Sequence, residues 1–205
     1  MQGKLLILSA PSGAGKTSLA RALIDSTPNT RMSISHTTRN CRVGEKHGVD
    51  YFFIDEAEFK SMIDAEQFLE YAKVYDKFYG TSKSSVEQML EQGLNVLLDV
   101  DWQGARQVKR LMSEAISVSI FPPSREELEK RLRHRGRDPE EVIEKRMQQA
   151  ESEMSHCHEA DFIILNDDFD MALQDLHYVM QGQTDKVRAL TIDVDSKLNP
   201  VVNKH

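Results

Sequence analysis

Apolar and polar positions fall into alternating blocks along this chain. Leu5–Leu8 is a short continuous apolar run that predicts a strand. Helical spacing follows at Leu19, Ala22 and Leu23, predicting a helix over Ser18–Ser26 that Pro28 closes. After SISHTTR and a polar loop to Gly48, the aromatic run YFFI predicts a strand. Asp55, with Glu58 three residues on, is a capping-box variant that opens a helix through about Asp64. FLEYAKV alternates with period two, predicting a half-buried strand with Glu70 on a polar face opposite Leu69 and Tyr71. Ser84 and Glu87 are expected to cap the next helix and Gly93 to stop it.

NVLLDVD is again nearly continuous and apolar, and marks a buried strand. A helix over about Gly104–Met112, the strand SVSIFP and a helix capped by Ser124 and Glu127 continue the alternation. Asp138 as cap and Pro139 as first helical residue open a long helix to about Met154. FIIL is the last predicted strand and Phe169–Met180 the last helix, while from Gln183 onward no pattern stands out. Strands alternating with helices predict an α/β fold, a parallel sheet flanked by helices on both faces, with residues 32–92 as an inserted mixed region.

Composition narrows the class. A chain of 205 residues suits one domain with insertions rather than two catalytic domains. A net charge of −7 argues against nucleic acid as partner, so a polyanionic ligand must be held by local clusters of Arg and Lys. Cys41 and Cys157 are too few for a disulfide framework or a CxxC metal site, which fits a reducing compartment. The N-terminal apolar run is broken early by Pro11 and Gly13, and no membrane-length apolar run occurs. The expectation is a cytoplasmic protein that uses no membrane.

Three constellations carry candidate chemistry. The first joins the first strand to the first helix: Ala10, Pro11, Ser12, Gly13, Ala14, Gly15, Lys16 and Thr17 form a phosphate loop. Backbone N–H groups of such a glycine-rich turn hold a polyphosphate at the start of a helix, Lys16 bridges the terminal phosphates, and Thr17 offers a hydroxyl to magnesium. The strict pattern begins with Gly where this chain has Ala10, but Pro11 already holds that position extended. The second constellation is Ser35, Arg39, Arg42, Glu45, Tyr51, Glu70, Tyr79 and Thr81. Guanidiniums with phenols suit a phosphate monoester, and an ionised carboxylate suits the paired N1–H and N2–H donors of guanine. Taken singly, each of these residues reads first as a solvated loop or surface residue. The third is Arg131, Arg133, Arg135, Arg137 and Arg146, of which Arg131 and Arg135 share a helix face; charge-rich helices are otherwise simply solvated. Two further runs have bland readings. Asp101–Gly104 matches a GTPase DxxG without any NKxD, and His156-Cys-His158-Glu reads as a polar helix end rather than a metal site.

SAPSGAGKT, SISHTTRNCRVGEKHGVDYFF, FLEYAKVYDKFYGTS, LLDVDWQG and ILNDD stand in an order and spacing that resembles guanylate kinase from about Leu5 to Gln181. The resemblance implies a P-loop core over about residues 3–34, 93–123 and 147–182. It implies a GMP-binding subdomain over about 35–92, an arginine-bearing lid over about 124–146, and leaves 183–205 as a tail without a role. It also implies magnesium-dependent transfer of the γ-phosphoryl group of ATP to GMP, giving ADP and GDP. By position, Arg39, Arg42, Tyr51 and Tyr79 match phosphate contacts of GMP, and Ser35, Glu70, Thr81 and Asp101 match guanine contacts; Glu45 is assigned to the GMP site with them. Asp99 matches an acidic residue beside magnesium and the phosphates, and Asn166 a position near adenine. Lys16, Arg39, Arg131, Arg135, Arg137 and Arg146 match the residues that meet the transferring group. One departure stands out: the family has Pro between the two arginines of TTRxPRxGE, and this chain has Cys41, which is expected to leave that loop more mobile when empty. The rival readings are a non-catalytic guanylate-kinase-like interaction module and a regulatory GTPase. Lys16, Thr17 and the lid arginines count against the first, and a GTP hydrolysis assay separates the second. Oligomeric state is left open.

Overall fold

The computed structural model describes residues 3–74, 76–134, 139–188, 190–192 and 200–202. In chain order they form β1 (Leu5–Ser9), α1 (Lys16–Ser26), β2 (Thr30–Met32), β3 (His36–Thr37), β4 (Phe52–Phe53), α2 (Glu56–Asp64), β5 (Phe68–Val74), β6 (Lys77–Ser82) and α3 (Lys83–Glu91). There follow β7 (Asn95–Asp99), α4 (Trp102–Leu111), β8 (Ile116–Phe121), α5 (Arg125–His134), α6 (Glu140–Ser155), β9 (Phe162–Leu165), α7 (Phe169–Gln181), β10 (Leu190–Ile192) and β11 (Pro200–Val202).

The core is a five-stranded parallel sheet in the order β2-β7-β1-β8-β9. Its central strand explains the unbroken apolar run: Leu6 and Leu8 pack with Leu19, Leu23 and Leu176 on one face, while Ile7 packs with Val86 and Val108 on the other. The mixed insertion is a four-stranded sheet, β4-β3-β6-β5. A third apolar cluster, including Leu128, Leu132, Ile143 and Met147, holds α5 against α6. Among the described residues no helix is long and apolar enough to cross a membrane.

Several boundaries follow the local chemistry as read. The Asp55 carboxylate accepts from Glu58 N at 2.8 Å, and Ser124 Oγ accepts from Glu127 N at 3.1 Å. Others differ. α3 is capped by Ser82, which accepts from Ser85 N, so Ser84 lies inside the first turn. α4 begins at Trp102 because the Asp101 carboxylate accepts from Gly104 N at 2.8 Å. At the start of α6, Pro139 occupies the cap position, and Asp138 lies outside the described residues.

The largest correction concerns Glu70. Pairing between β5 and β6 changes register between Phe68 and Glu70, so strict alternation fails there. Phe68, Leu69 and Glu70 are buried in succession, with Glu70 only 7% exposed, while Tyr71 turns outward at 40%. Nor is the tail wholly without structure. A short turn at Thr184–Lys186 follows α7, and β10 pairs antiparallel with β11.

Candidate active site

Two polar surfaces meet at the carboxyl end of β1 and β7. The first is the loop from β1 to α1. Pro11 C=O accepts from Ala14 N at 3.0 Å, and Gly13 and Gly15 take φ of 98° and 99°, a left-handed conformation that side chains disfavour. A Cβ on Gly15 would lie 2.2 Å from Asn166 Nδ2, so glycine is required there by space as well. The Asn166 side chain donates to Ala14 C=O at 2.6 Å and its main-chain N to Phe121 C=O at 2.7 Å, tying the end of β9 to this loop. Ala10 is half-buried, Pro11 buried and Ser12 exposed. α1 starts without a side-chain cap, which leaves its first N–H groups open to a ligand, with Thr17 exposed on the first turn.

Lys16 forms an ion pair with Asp99 and lies 3.4 Å from Val100 C=O. Beside the loop is a cleft of about 1090 Å³ lined by Gly13, Gly15, Arg131, Asn166, Asp167 and Phe169 among others. Arg131 donates to Asn166 C=O and to the Glu127 carboxylate, both at 3.3 Å. Arg146 is half-buried on α6, while Arg135 and Arg137 lie outside the described residues.

The second surface is the inserted sheet. Arg39, just past β3, holds Glu45 through two bonds of 2.8 and 2.9 Å, and Glu45 also accepts from Arg42 N at 2.8 Å. The bonds from Arg39 and Arg42 keep the Glu45 carboxyl well below its ordinary range, at about 2. The Arg39 guanidinium sits 5.3 Å from the centre of the Tyr51 ring, and Tyr51 meets Tyr79 edge to face at 6.1 Å. Burial pushes the Tyr51 phenol up, with Tyr79 adding to it. Cys41, exposed on the same loop, directs its thiol at Glu45 C=O at 3.3 Å. Ser35 is half-buried, and its C=O accepts from Phe52 N at 2.9 Å.

Deeper in this sheet Thr81 Oγ1 donates to Glu70 at 2.6 Å. Burial raises the Glu70 carboxyl to about 6; the bond from Thr81 opposes that rise and the nearby Asp101 charge adds to it. α4 is brought close by Gly104, where a Cβ would lie 3.2 Å from Glu70 Oε2. Arg39, Glu45, Tyr51 and Tyr79 therefore form one group on the inserted sheet and its loops, while Glu70 and Thr81 on β5 and β6 form a second with Asp101 of the α4 cap nearby.

Glu153 is absent from the three constellations. It is half-buried on α6, and burial raises its carboxyl to about 7; Lys16 opposes that rise, while Asp101 and Asp99 add to it. Its signal was its place seven residues after Arg146, two helical turns along the same face. The two bland runs keep bland roles. Asp101–Gly104 is a helix cap. His156 stacks on Trp102 with ring centres 3.6 Å apart and pairs with Glu159, beside the buried Cys157. Among the described residues no group of three or more His, Cys, Asp or Glu is placed to hold a metal.

A parallel sheet bearing a phosphate loop, with a separate polar sheet beside it, defines a P-loop phosphotransferase. A guanylate kinase family model matches residues 2–183. The guanylate kinase of Methylococcus capsulatus is 56% identical over 182 residues, and that of Yersinia pestis 54% over 185, each covering 89% of both chains. The crystal structure of guanylate kinase from Anaplasma phagocytophilum aligns with a TM-score of 0.70 at 33% identity, over 90% of this chain and 88% of that one. The chain belongs to the guanylate kinase family.

Proposed function

We propose that this ATP:GMP phosphotransferase seats ATP on the phosphate loop and GMP on the inserted sheet, with the reacting phosphates meeting between Lys16 and Arg39. The observation that carries this reading is the chemistry of the inserted sheet: a guanidinium with two phenols at one place and a buried carboxylate at another, as a nucleotide's phosphate and base require. Residues 35–92 then act as the acceptor subdomain and 124–146 as the lid.

An oxygen of the GMP phosphate attacks the γ-phosphorus in line; that P–O bond forms as the bond to the β-phosphate oxygen breaks, and ADP leaves. The attacking oxygen is already anionic, so the site needs neither a protein nucleophile nor a general base. Its task is to position two anions and offset their repulsion. Lys16, Arg39, Arg131 and Arg146 supply that charge, joined by Arg135 and Arg137 from the lid. Glu45 serves by orienting Arg39 and Arg42 rather than by touching phosphate. Glu70, Thr81, Ser35 and Asp101 address guanine, and Asn166 the adenine side. Closure of lid and acceptor subdomain excludes water and suppresses hydrolysis.

The donor set fits magnesium. Thr17 and Asp99 offer hard oxygens beside the loop, and magnesium typically takes one or two protein oxygens and completes its shell with phosphates and water. When bound, that ion neutralises charge on the β- and γ-phosphates. ATP must also draw Lys16 away from Asp99, which frees the carboxylate. A cytoplasmic location accords with two free thiols, Cys41 exposed and Cys157 buried.

Arg39→Lys is expected to weaken GMP binding while leaving ATP binding nearly unchanged, because an ammonium cannot reproduce the planar two-point grip. Calorimetric titration with each nucleotide decides; equal losses for both would contradict a dedicated acceptor site. The Glu70 carboxyl, raised from its ordinary 4.5 to about 6, must be ionised to accept two N–H groups. On this basis kcat/KM for GMP should fall as pH drops through about 6. The GMP phosphate itself titrates near pH 6 (roughly), so the comparison is with Glu70→Gln, which shares that step. Identical acid limbs in the two proteins would remove Glu70 from base recognition.

A further inference from the structure

Arg188 lies five residues beyond the stretch that the family model matches, which ends at residue 183. Yet its side chain is only 16% exposed, and each of its three guanidinium nitrogens donates a hydrogen bond. Nε donates to Asp175 Oδ2 at 2.6 Å and the main-chain N to Asp175 Oδ1 at 3.2 Å. Nη1 donates to Asp167 Oδ1 at 2.9 Å and Nη2 to Leu165 C=O at 2.8 Å. The last two contacts matter for function because they grip the residues on either side of Asn166.

Asn166 is itself the junction of the donor side. Its amide holds Ala14 of the phosphate loop, its C=O receives Arg131 of the lid helix, and Gly15 has no side chain because that amide occupies the space. The segment Leu165–Asp167 runs from the last residue of β9 into the short turn before α7. An arginine with a rigid fork can fix such a turn at two points while its Nε anchors to a helix. Asp175 is that anchor, a carboxylate on α7 only 3% exposed. Asp167 also lines the donor cleft, so its position shapes the wall beside the adenine end.

We propose that Arg188, at the root of the C-terminal tail, is a positioning residue for ATP: it fixes Asn166 and the cleft wall from behind and so sets donor affinity. The proposal rests on the reading of Asn166 as part of the donor site. It assigns the first residues after α7 to the nucleotide machinery rather than to a spacer.

Arg188→Ala alone leaves the buried Asp175 charge without its partner and risks unfolding. The informative variant is therefore Arg188→Met combined with Asp175→Asn, which removes both charges and still releases Leu165 and Asp167. The expected result is a rise in KM for ATP and in its calorimetric Kd of about tenfold, the lower end of what losing an outer-shell partner costs at metal sites. KM for GMP and kcat should stay within about twofold, since the acceptor sheet is untouched. A lowered melting temperature with both KM values unchanged would make Arg188 a purely structural clasp and overturn the proposal, as would equal rises for both substrates. Asn166→Ala, measured alongside, separates the two layers. If it raises KM for ATP and the Arg188 variant does not, the positioning role alone fails. If Asn166→Ala leaves ATP unaffected, the donor-site premise and the proposal fall together.

Discussion

Lys16→Ala should lower turnover at least about a hundredfold, the scale of losing one preorganised charge-stabilising group. Lys16 opens α1 directly after the loop's two left-handed glycines, and its side chain is the cation built into that loop. In this structure it is paired with Asp99 and touches Val100 C=O, which places the ammonium at the carboxyl end of β7, where the proposed reading seats the reacting phosphates. The fold should tolerate the change. Both partners remain partly open to solvent, and such pairs contribute little to stability. On that reading, removing the ammonium takes one preorganised cation from between two anionic groups, so the loss should appear in kcat as well as in ATP binding. A folded Lys16→Ala protein that turns over within a few-fold of the parent would contradict the catalytic reading of this loop.

Glu70→Gln should cost GMP roughly 2 to 4 kcal/mol of transition-state binding, a factor of tens to several hundred in kcat/KM. The carboxylate is buried, held by Thr81 and close to Gly104 and Asp101, so it is preset rather than waving in solvent. If it accepts both N1–H and N2–H of guanine, the amide can satisfy only one of them and turns an N–H donor toward the other. AMP should lose far less. Its unprotonated N1 already faces a carboxylate in the parent enzyme, and a site built for paired donors rejects an analogue without them. IMP, which keeps N1–H and lacks N2, should fall between GMP and AMP in the parent. An unchanged GMP-to-AMP ratio in Glu70→Gln would show that Glu70 does not read the base.

Spacing alone made the phosphate loop legible. An apolar run, glycines at fixed offsets and a Lys-Thr pair state strand, turn and helix in thirteen residues, and the observed β1 and α1 follow. The polar group on the inserted sheet was legible as residue types but not as geometry. Arg39, Tyr51 and Tyr79 are far apart in the chain and meet only because β3, β4 and β6 are neighbours in one sheet. The burial of Glu70 could not be read from alternation, since the register irregularity in β5 is a property of its pairing with β6 and not of its own composition. The cap of α3 was misread for a smaller reason: Ser82, Ser84 and Ser85 are all able to cap, and which one does depends on where β6 ends. Arg188 left no local signal at all, because its partners at 165, 167 and 175 are brought to it by β9 and α7.

The central claim is ATP:GMP phosphotransfer by the two facing sites, and the most direct measurement is ADP release from ATP with GMP, AMP, CMP and UMP offered in turn in a coupled assay. Rapid ADP formation with GMP, far slower formation with the other three, and little without an acceptor is the expected result. Folded, ATP-binding protein that releases ADP no faster with GMP than without it would contradict the claim.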